Sequence, residues 1–206
     1  MTSRHPSDFD LLEIPELFGS ASCRDLIDEL RHSPATPALT YGQGQTPLVA
    51  ATIRNVTRLL AAAETVRSVQ SRLIKAKAQL EQHFGIGLGD CEEPQFLCYR
   101  TGDFFVAHQD GNTGLVQLES DRLRRISISL FLNAQSDEPA EGSFCGGSLV
   151  FSDWRSGATR ELKAVAGTLV AFRSELTHEV TPVTYGERYS IVTWFAGGTE
   201  SSPVAS

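Results

Sequence analysis

No stretch of this chain is apolar for long enough to cross a bilayer, so a membrane span is not expected. No segment repeats, which sets aside solenoids, propellers and lectin-type arrays. Basic residues are in the minority, with 18 Lys and Arg against 25 Asp and Glu, for a net charge of −7. Nucleic acid is therefore excluded as a standing partner, because phosphate contacts need a basic surface. The four cysteines, Cys23, Cys91, Cys98 and Cys145, include no Cys-x-x-Cys pair and read as reduced structural thiols of a cytoplasmic protein. The opening residues, Met1 to Asp8, hold no apolar core, so no signal peptide is expected there.

What is present suits one folded domain. The 206 residues are 41% hydrophobic, enough to build a sizeable core. The first third reads helical. Ser20 or Ser22 would cap a helix running to about His32, with Leu26, Ile27 and Leu30 inward. Residues 33 to 47 hold three prolines and two glycines and read as a loop. Val66, Val69, Leu73, Ala76, Leu80 and Phe84 recur at steps of three and four, which predicts one helix from about Ala63 to Phe84 ended by Gly85. Beyond Gly85 the period changes to two. Gln95 to Ala107 reads as extended, and Ile126, Ile128, Leu130 and Leu132 alternate with Ser127, Ser129, Phe131 and Asn133. Short strands follow at 148–153, 167–173, 179–183 and 189–195.

Helices first and many short strands afterwards predict an α+β domain with a sandwich of sheets, for which a jelly roll is the natural candidate. The expected organisation is a single domain. Residues 1–93 form mainly helical support, 94–197 a catalytic core and 198–206 a flexible tail. The irregular piece from Gly111 to Asp121 is a candidate lid.

Three residues suggest a metal centre. His108 and Asp110 stand two apart at the end of a strand, so both side chains share one face. His178 lies far downstream between two strand signals, where a sandwich can bring it back beside His108. His5, His32 and His83 sit in the N-terminal tail, at a helix end and on a helix, and read as solvated or structural. Two neutral imidazoles and a carboxylate suit iron(II), but they suit other divalent ions too. Ten residues past His178 comes Arg188, on a strand face shared with Ser190 and Val192. A guanidinium beside a hydroxyl makes a good two-pronged carboxylate clamp. Tyr99 carries a hydroxyl that needs a partner if buried. Phe104, Phe105, Phe131, Phe151, Phe172 and Trp194 would supply apolar walls.

These residues resemble a known family, the 2-oxoglutarate- and iron(II)-dependent dioxygenases, and in particular bacterial members similar to prolyl 4-hydroxylases. The resemblance runs from about Pro94 to Phe195. It is carried in order by Tyr99-x-x-Gly102, His108-x-Asp110, Ser127 to Asn133, Gly146-Gly147-Ser148-Leu149-Val150-Phe151, Gly167 to Phe172, His178-x-Val180-x-Pro182-Val183 and Arg188-Tyr189-Ser190. It implies a double-stranded β-helix, or jelly roll. It implies His108, Asp110 and His178 as iron ligands, and Arg188, helped by Tyr99 and Ser190, as the holder of the distal carboxylate of 2-oxoglutarate. It implies iron(II) as cofactor, 2-oxoglutarate and O2 as co-substrates, and ascorbate as an accessory reductant in assays.

The departures shape the expected substrate. Prolyl 4-hydroxylases usually carry lysine where Arg188 stands, and an acidic residue where Ser148 stands. The family's halogenases lose the metal carboxylate, which Asp110 retains. Its nucleic-acid demethylases carry a second arginine at the position of Trp194. The expected reaction is hydroxylation of an unactivated C–H of a small substrate: an amino acid, a carrier-bound amino acid or a peptide-like metabolite. Arg122, Arg124 and Arg125, beside the lid, are candidates to read an acidic group on it. The alternatives are a peptidyl or protein prolyl-type hydroxylase, a zinc hydrolase, and a jelly-roll binding protein with a structural metal. The zinc hydrolase leaves Arg188 without a role, and a structural metal calls for a fourth protein ligand.

Overall fold

The structure is a computed structural model. It describes residues 9–38, 40–41, 47–48, 53–116 and 118–198. The opening segment with His5, all but the first residue of the 198–206 tail and part of the 33–47 stretch lie outside the described residues.

The chain begins with β1 (Leu11–Ile14) and α1 (Ser20–Arg31). Neither serine caps α1. The extended residue Gly19 does, through its carbonyl, which accepts from the Cys23 amide at 3.1 Å. Cys23, Ile27 and Leu30 face inward. The stretch read as a loop is partly strand, with β2 (Ala35–Pro37), β3 (Thr40–Tyr41) and β4 (Pro47–Leu48), followed by β5 (Arg54–Asn55) and β6 (Thr57–Leu59). The N-terminal third thus supplies strands as well as helices.

The single long helix expected over 63–84 is two, α2 (Ala63–Lys75) and α3 (Lys77–Phe84), broken at Ala76. The Ala76 amide donates to the Leu73 carbonyl at 3.1 Å, a tightened turn. The break preserves the buried row Val69, Leu73, Ala76, Leu80 and Phe84, which is why the periodicity runs through it. Gly85, left-handed at φ 64°, closes α3 as the periodicity predicts.

The remaining elements are β7 (Leu88–Cys91), β8 (Gln95–Arg100), β9 (Phe104–His108), α4 (Glu119–Arg122), β10 (Arg124–Phe131), β11 (Cys145–Gly146), β12 (Leu149–Ser152), β13 (Thr159–Leu162), β14 (Leu169–Arg173), β15 (Thr177–Val180), β16 (Val183–Tyr185) and β17 (Glu187–Gly197). Two antiparallel sheets dominate. One has eight strands in the order β1-β14-β10-β17-β8-β6-β2, with β7 also on β17. The other has five, β13-β12-β15-β9-β5. This is the jelly-roll sandwich with supporting helices.

The run 95–107 is not one strand. A turn at Thr101-Gly102-Asp103 divides it, pinned by the Arg100 amide donating to Asp103 Oδ2 at 2.8 Å. β8 stays in the larger sheet and β9 crosses to the smaller one. The turn therefore puts Tyr99 and His108 on opposite walls of the space between the sheets.

The alternation in β10 is explained by two cores. Ile126, Ile128 and Leu130 join the helices' Leu30, Leu73 and Leu80 in one cluster. Phe131 faces the other way, into a second cluster with Phe144, Leu149, Phe151, Val170 and Phe172. Both faces of the strand are covered, so the sheet is a central layer between helices and the second sheet.

Candidate active site

His108 ends β9, and His178 stands opposite it on β15 in antiparallel register. Cross-strand partners lie close enough for side chains to meet, and the two imidazole rings are 4.2 Å apart between centroids. Asp110 follows two residues after His108. Its amide and that of Gly111 donate to the Ser174 carbonyl at 2.9 and 3.1 Å, which ties this turn to the loop before β15. Asp110 Oδ1 is then 3.4 Å from His108 Nε2, and Oδ2 is 3.4 Å from His178 Nε2. One donor atom from each of the three residues lies within 4.8 Å of the others. Adjacent donors, each about 2.1 Å from one ion, would be roughly 3 Å apart, so the cluster is of the right size to share a cation.

The protonation pattern suits that use. His108 Nδ1 lies 2.9 Å from the Val106 carbonyl, and His178 Nδ1 lies 2.9 Å from the Leu176 carbonyl. A carbonyl only accepts, so each Nδ1 carries a hydrogen and each Nε2 is turned toward Asp110. Burial, followed by the charge of His108, lowers the pKa of His178 to about 4, so its imidazole is neutral at ordinary pH. Burial alone would raise the Asp110 carboxyl. The imidazoles of His178 and His108, with a smaller contribution from the Trp194 side chain, outweigh it and hold the group well below the usual carboxylate range. Phe105 stacks on His108 at 3.6 Å, and Phe172 meets His178 edge-on at 4.6 Å, fixing both rings.

Across the cavity stands Arg188, on β17. It is 1% exposed, and no carboxylate of the described residues pairs with it. One of its guanidinium nitrogens donates to Ser190 Oγ at 3.0 Å, while Nε has no hydrogen-bond partner among the described residues. Tyr99 is its cross-strand neighbour on β8, and the guanidinium lies 4.9 Å from the Tyr99 ring centre and 5.4 Å from that of Phe131. Burial lowers its pKa from the ordinary value, against an opposing contribution from Tyr99. A guanidinium nonetheless stays charged. A buried, unpaired cation is costly unless an anion joins it. Gly147 makes room for the arginine's stem: a Cβ there would meet Arg188 Cδ at 3.1 Å, and its φ of 62° favours glycine besides.

Triad and arginine line one cavity of about 860 Å³. Its walls include Phe105, Phe172 and Trp194, and its mouth is edged by Leu115, Val116 and Leu118 of the 111–121 segment. Of the other aromatics expected as walls, Phe151 is wholly core. Ser148 is buried away from this cavity and accepts from Gln135 at 2.8 Å. The three arginines expected to read an acidic substrate are engaged elsewhere. Arg124 pairs with Glu92 and Asp121, Arg125 donates to the Arg122 and Arg124 carbonyls, and Arg122 donates to the Val116 carbonyl. His32 and His83 are structural, bound to the Asp28 carbonyl and to Asp10.

Trp194 was legible only as a wall, and its contact with the Arg124 guanidinium, 3.9 Å from a ring centre, was missed. Its position was available all the same, since Arg188, Ser190, Val192 and Trp194 share one strand face.

A jelly roll with two histidines and a carboxylate on one wall, and a lone buried arginine on the other, defines the class of non-haem iron oxygenases. Comparison with known proteins agrees. Residues 94–196 match the model of the 2OG-Fe(II) oxygenase superfamily. A PKHD-type hydroxylase of Shewanella oneidensis is 30% identical over 189 residues, which span 89% of this chain and 77% of that relative. The crystal structure of a prolyl-4-hydroxylase of Pseudomonas putida is similar with a TM-score of 0.69 and 25% identity, covering 93% of this chain and 94% of that one. A prolyl hydroxylase of Trichoplax adhaerens, in complex with a hypoxia inducible factor peptide fragment, shares the fold with a TM-score of 0.69 at 17% identity, over 91% and 84% of the two chains. The chain belongs to the 2OG-Fe(II) oxygenase superfamily. It is an iron(II)- and 2-oxoglutarate-dependent dioxygenase, which sets aside the zinc hydrolase and the binding protein.

Proposed function

We propose that this dioxygenase hydroxylates an unactivated C–H of a small substrate: a free amino acid, a carrier-bound amino acid or a peptide-like metabolite. In this reading His108, Asp110 and His178 hold iron(II), and Arg188, with Ser190 and Tyr99, holds the distal carboxylate of 2-oxoglutarate. The single observation that carries it is the three-donor cluster facing, across one cavity, the buried Arg188, whose Nε has no hydrogen-bond partner among the described residues. The residues fit the groups they would hold. Two imidazoles and an ionised carboxylate offer a divalent ion three donors and leave its other positions open. The Arg188 guanidinium, bonded only to Ser190 among the described residues, offers a dicarboxylate donors in a fork.

When bound, iron(II), 2-oxoglutarate and O2 would supply the oxidation: one oxygen atom of O2 would enter succinate as CO2 leaves, and the other would convert the C–H to an alcohol. The chain's own residues do the rest. The carbonyls of Val106 and Leu176 fix the imidazole tautomers. Arg188 orients the co-substrate from the far wall. Phe105, Phe172 and Trp194 exclude water. About 860 Å³ lies in the range of small-molecule sites, which supports a small substrate. Likeness to a prolyl-4-hydroxylase favours a second reading, a peptidyl proline presented at the cavity mouth.

The test is succinate formation with iron(II), ascorbate and 2-oxoglutarate across three panels: free amino acids, aminoacyl carriers and proline-containing peptides. Mass spectrometry would look for one added oxygen. Turnover with a free or carrier-bound amino acid supports the proposal. Hydroxylation of the peptides alone would replace it with the second reading.

A further inference from the structure

Arg124 touches both the main chain of Asp110 and the ring of Trp194, which lines the same cavity. One guanidinium nitrogen of Arg124 donates to the Asp110 carbonyl at 3.3 Å. The same guanidinium packs over Trp194, 3.9 Å from a ring centre, and Trp194 is among the groups that lower the pKa of the Asp110 carboxyl. Arg124 thus bears on the main chain of Asp110 directly and on the indole of Trp194 beside it.

The rest of the fork is spent on two carboxylates. Nε and Nη2 donate to the two oxygens of Glu92 at 2.6 and 2.8 Å, and Nη2 also lies 3.0 Å from Asp121 Oδ1. Asp121 belongs to α4, the helical end of the segment that edges the cavity mouth. The packing is close here too. A Cβ on Gly111, the residue after Asp110, would run into the Asp121 carbonyl and come within 2.6 Å of Arg124 Cβ. At 13% side-chain exposure, with both neighbouring carboxylates satisfied, Arg124 is committed to the protein and not to a substrate.

We propose that Arg124 is a positioning residue that couples the cavity-edge segment 111–123 to the metal carboxylate: α4 docked through Asp121 sets the guanidinium, and the guanidinium sets Asp110 and Trp194. The inference rests on the reading of Asp110 as a metal ligand. Groups that orient a ligand in this way typically change metal affinity by about tenfold to a hundredfold when removed. Lysine cannot substitute, because a point charge lacks both the fork and the flat face.

The test is calorimetric titration with cobalt(II), a stand-in for iron(II), together with hydrogen exchange of residues 111–123. Arg124→Gln is expected to weaken cobalt(II) binding by about tenfold or more and to speed exchange in 111–123. Arg124→Lys is expected to fall between it and the wild type. Asp121→Asn leaves Arg124 itself unchanged and removes the charge from its tie to α4, keeping only a neutral acceptor, and it too is expected to weaken cobalt(II) binding. With Trp154→Phe as background, Trp194 is the sole tryptophan, and its emission should change in all three variants. Faster exchange in Arg124→Gln with wild-type cobalt(II) affinity would overturn the coupling and leave a merely structural role. If Arg124→Gln fails to fold, wild-type affinity in both Arg124→Lys and Asp121→Asn overturns it equally. Asp110→Ala separates the two levels: wild-type affinity in that variant would refute the site itself, whereas lost affinity there beside normal affinity in the Arg124 variants refutes only the coupling.

Discussion

His108, Asp110 and His178 divide one task, and the geometry predicts different losses for each. The two imidazoles have their Nδ1 hydrogens fixed by main-chain carbonyls, so each offers a single lone pair in one direction. Removing either should abolish turnover and weaken metal binding by about tenfold or more, the order expected for loss of an orienting or ligating group. Asp110→Ala should abolish hydroxylation while leaving a weaker two-imidazole site. Anaerobic iron(II) titration checks all three, and full affinity in His178→Ala would break the triad. At this scale the sequence was informative where spacing is local. The shared face of Arg188 and Ser190 follows from strand parity alone, whereas Asp110 lies beyond the end of β9 and reaches His108 through a turn tied to the Ser174 carbonyl. The sequence was silent where contacts are remote. Arg124 looked like a substrate reader because nothing in the chain announces that Glu92, 32 residues earlier, takes its fork.

The element that most invites perturbation is the segment after Asp110. Its Leu115 is 79% exposed although it edges the cavity, so it covers little apolar surface of its own. We expect its amides to exchange fast in the ligand-free protein and to slow when 2-oxoglutarate and substrate are present, as closure excludes water. Equal protection in both states would remove the lid from the account. Gly111→Ala should act on the same element, since the added Cβ has nowhere to go between Asp121 and Arg124. Its expected signature is weaker metal binding with looser exchange across 111–123. Elements were legible where one period persists: α1, the α2–α3 row and β10 all follow from buried positions three or four, or two, apart. Two boundaries were not. The Ala76 break keeps the helical row in register, and the 101–103 turn sits inside a run that is extended on both sides. Only pairing partners distinguish β8 from β9, and those are contacts of the sandwich, not of the local chain.

For the whole molecule, the helices and the larger sheet share a core in which Leu30, Leu73 and Leu80 are fully buried beside Ile126, Leu130 and Ile191. We propose that the chain unfolds as one cooperative unit. Leu73→Ala should cost about 2–5 kcal/mol and lower one thermal transition without splitting it. A separate early transition for the helices would divide the chain into two units. The proposed site spans the same assembly, with the donor cluster on the five-stranded sheet and Arg188 on the eight-stranded one. The most direct test of the account therefore asks whether the two walls act together: calorimetry of 2-oxoglutarate binding to the metal-loaded protein, without oxygen where iron(II) is used. The wild type should bind. Arg188→Ala should bind about tenfold to over a hundredfold more weakly, as loss of a charge-assisted contact of about 1.5–3 kcal/mol requires, with its metal affinity near normal. Arg188→Lys should fall between, keeping the charge without the fork. Wild-type affinity in Arg188→Ala would contradict the role given to this residue, and no binding by the wild type would contradict the account as a whole.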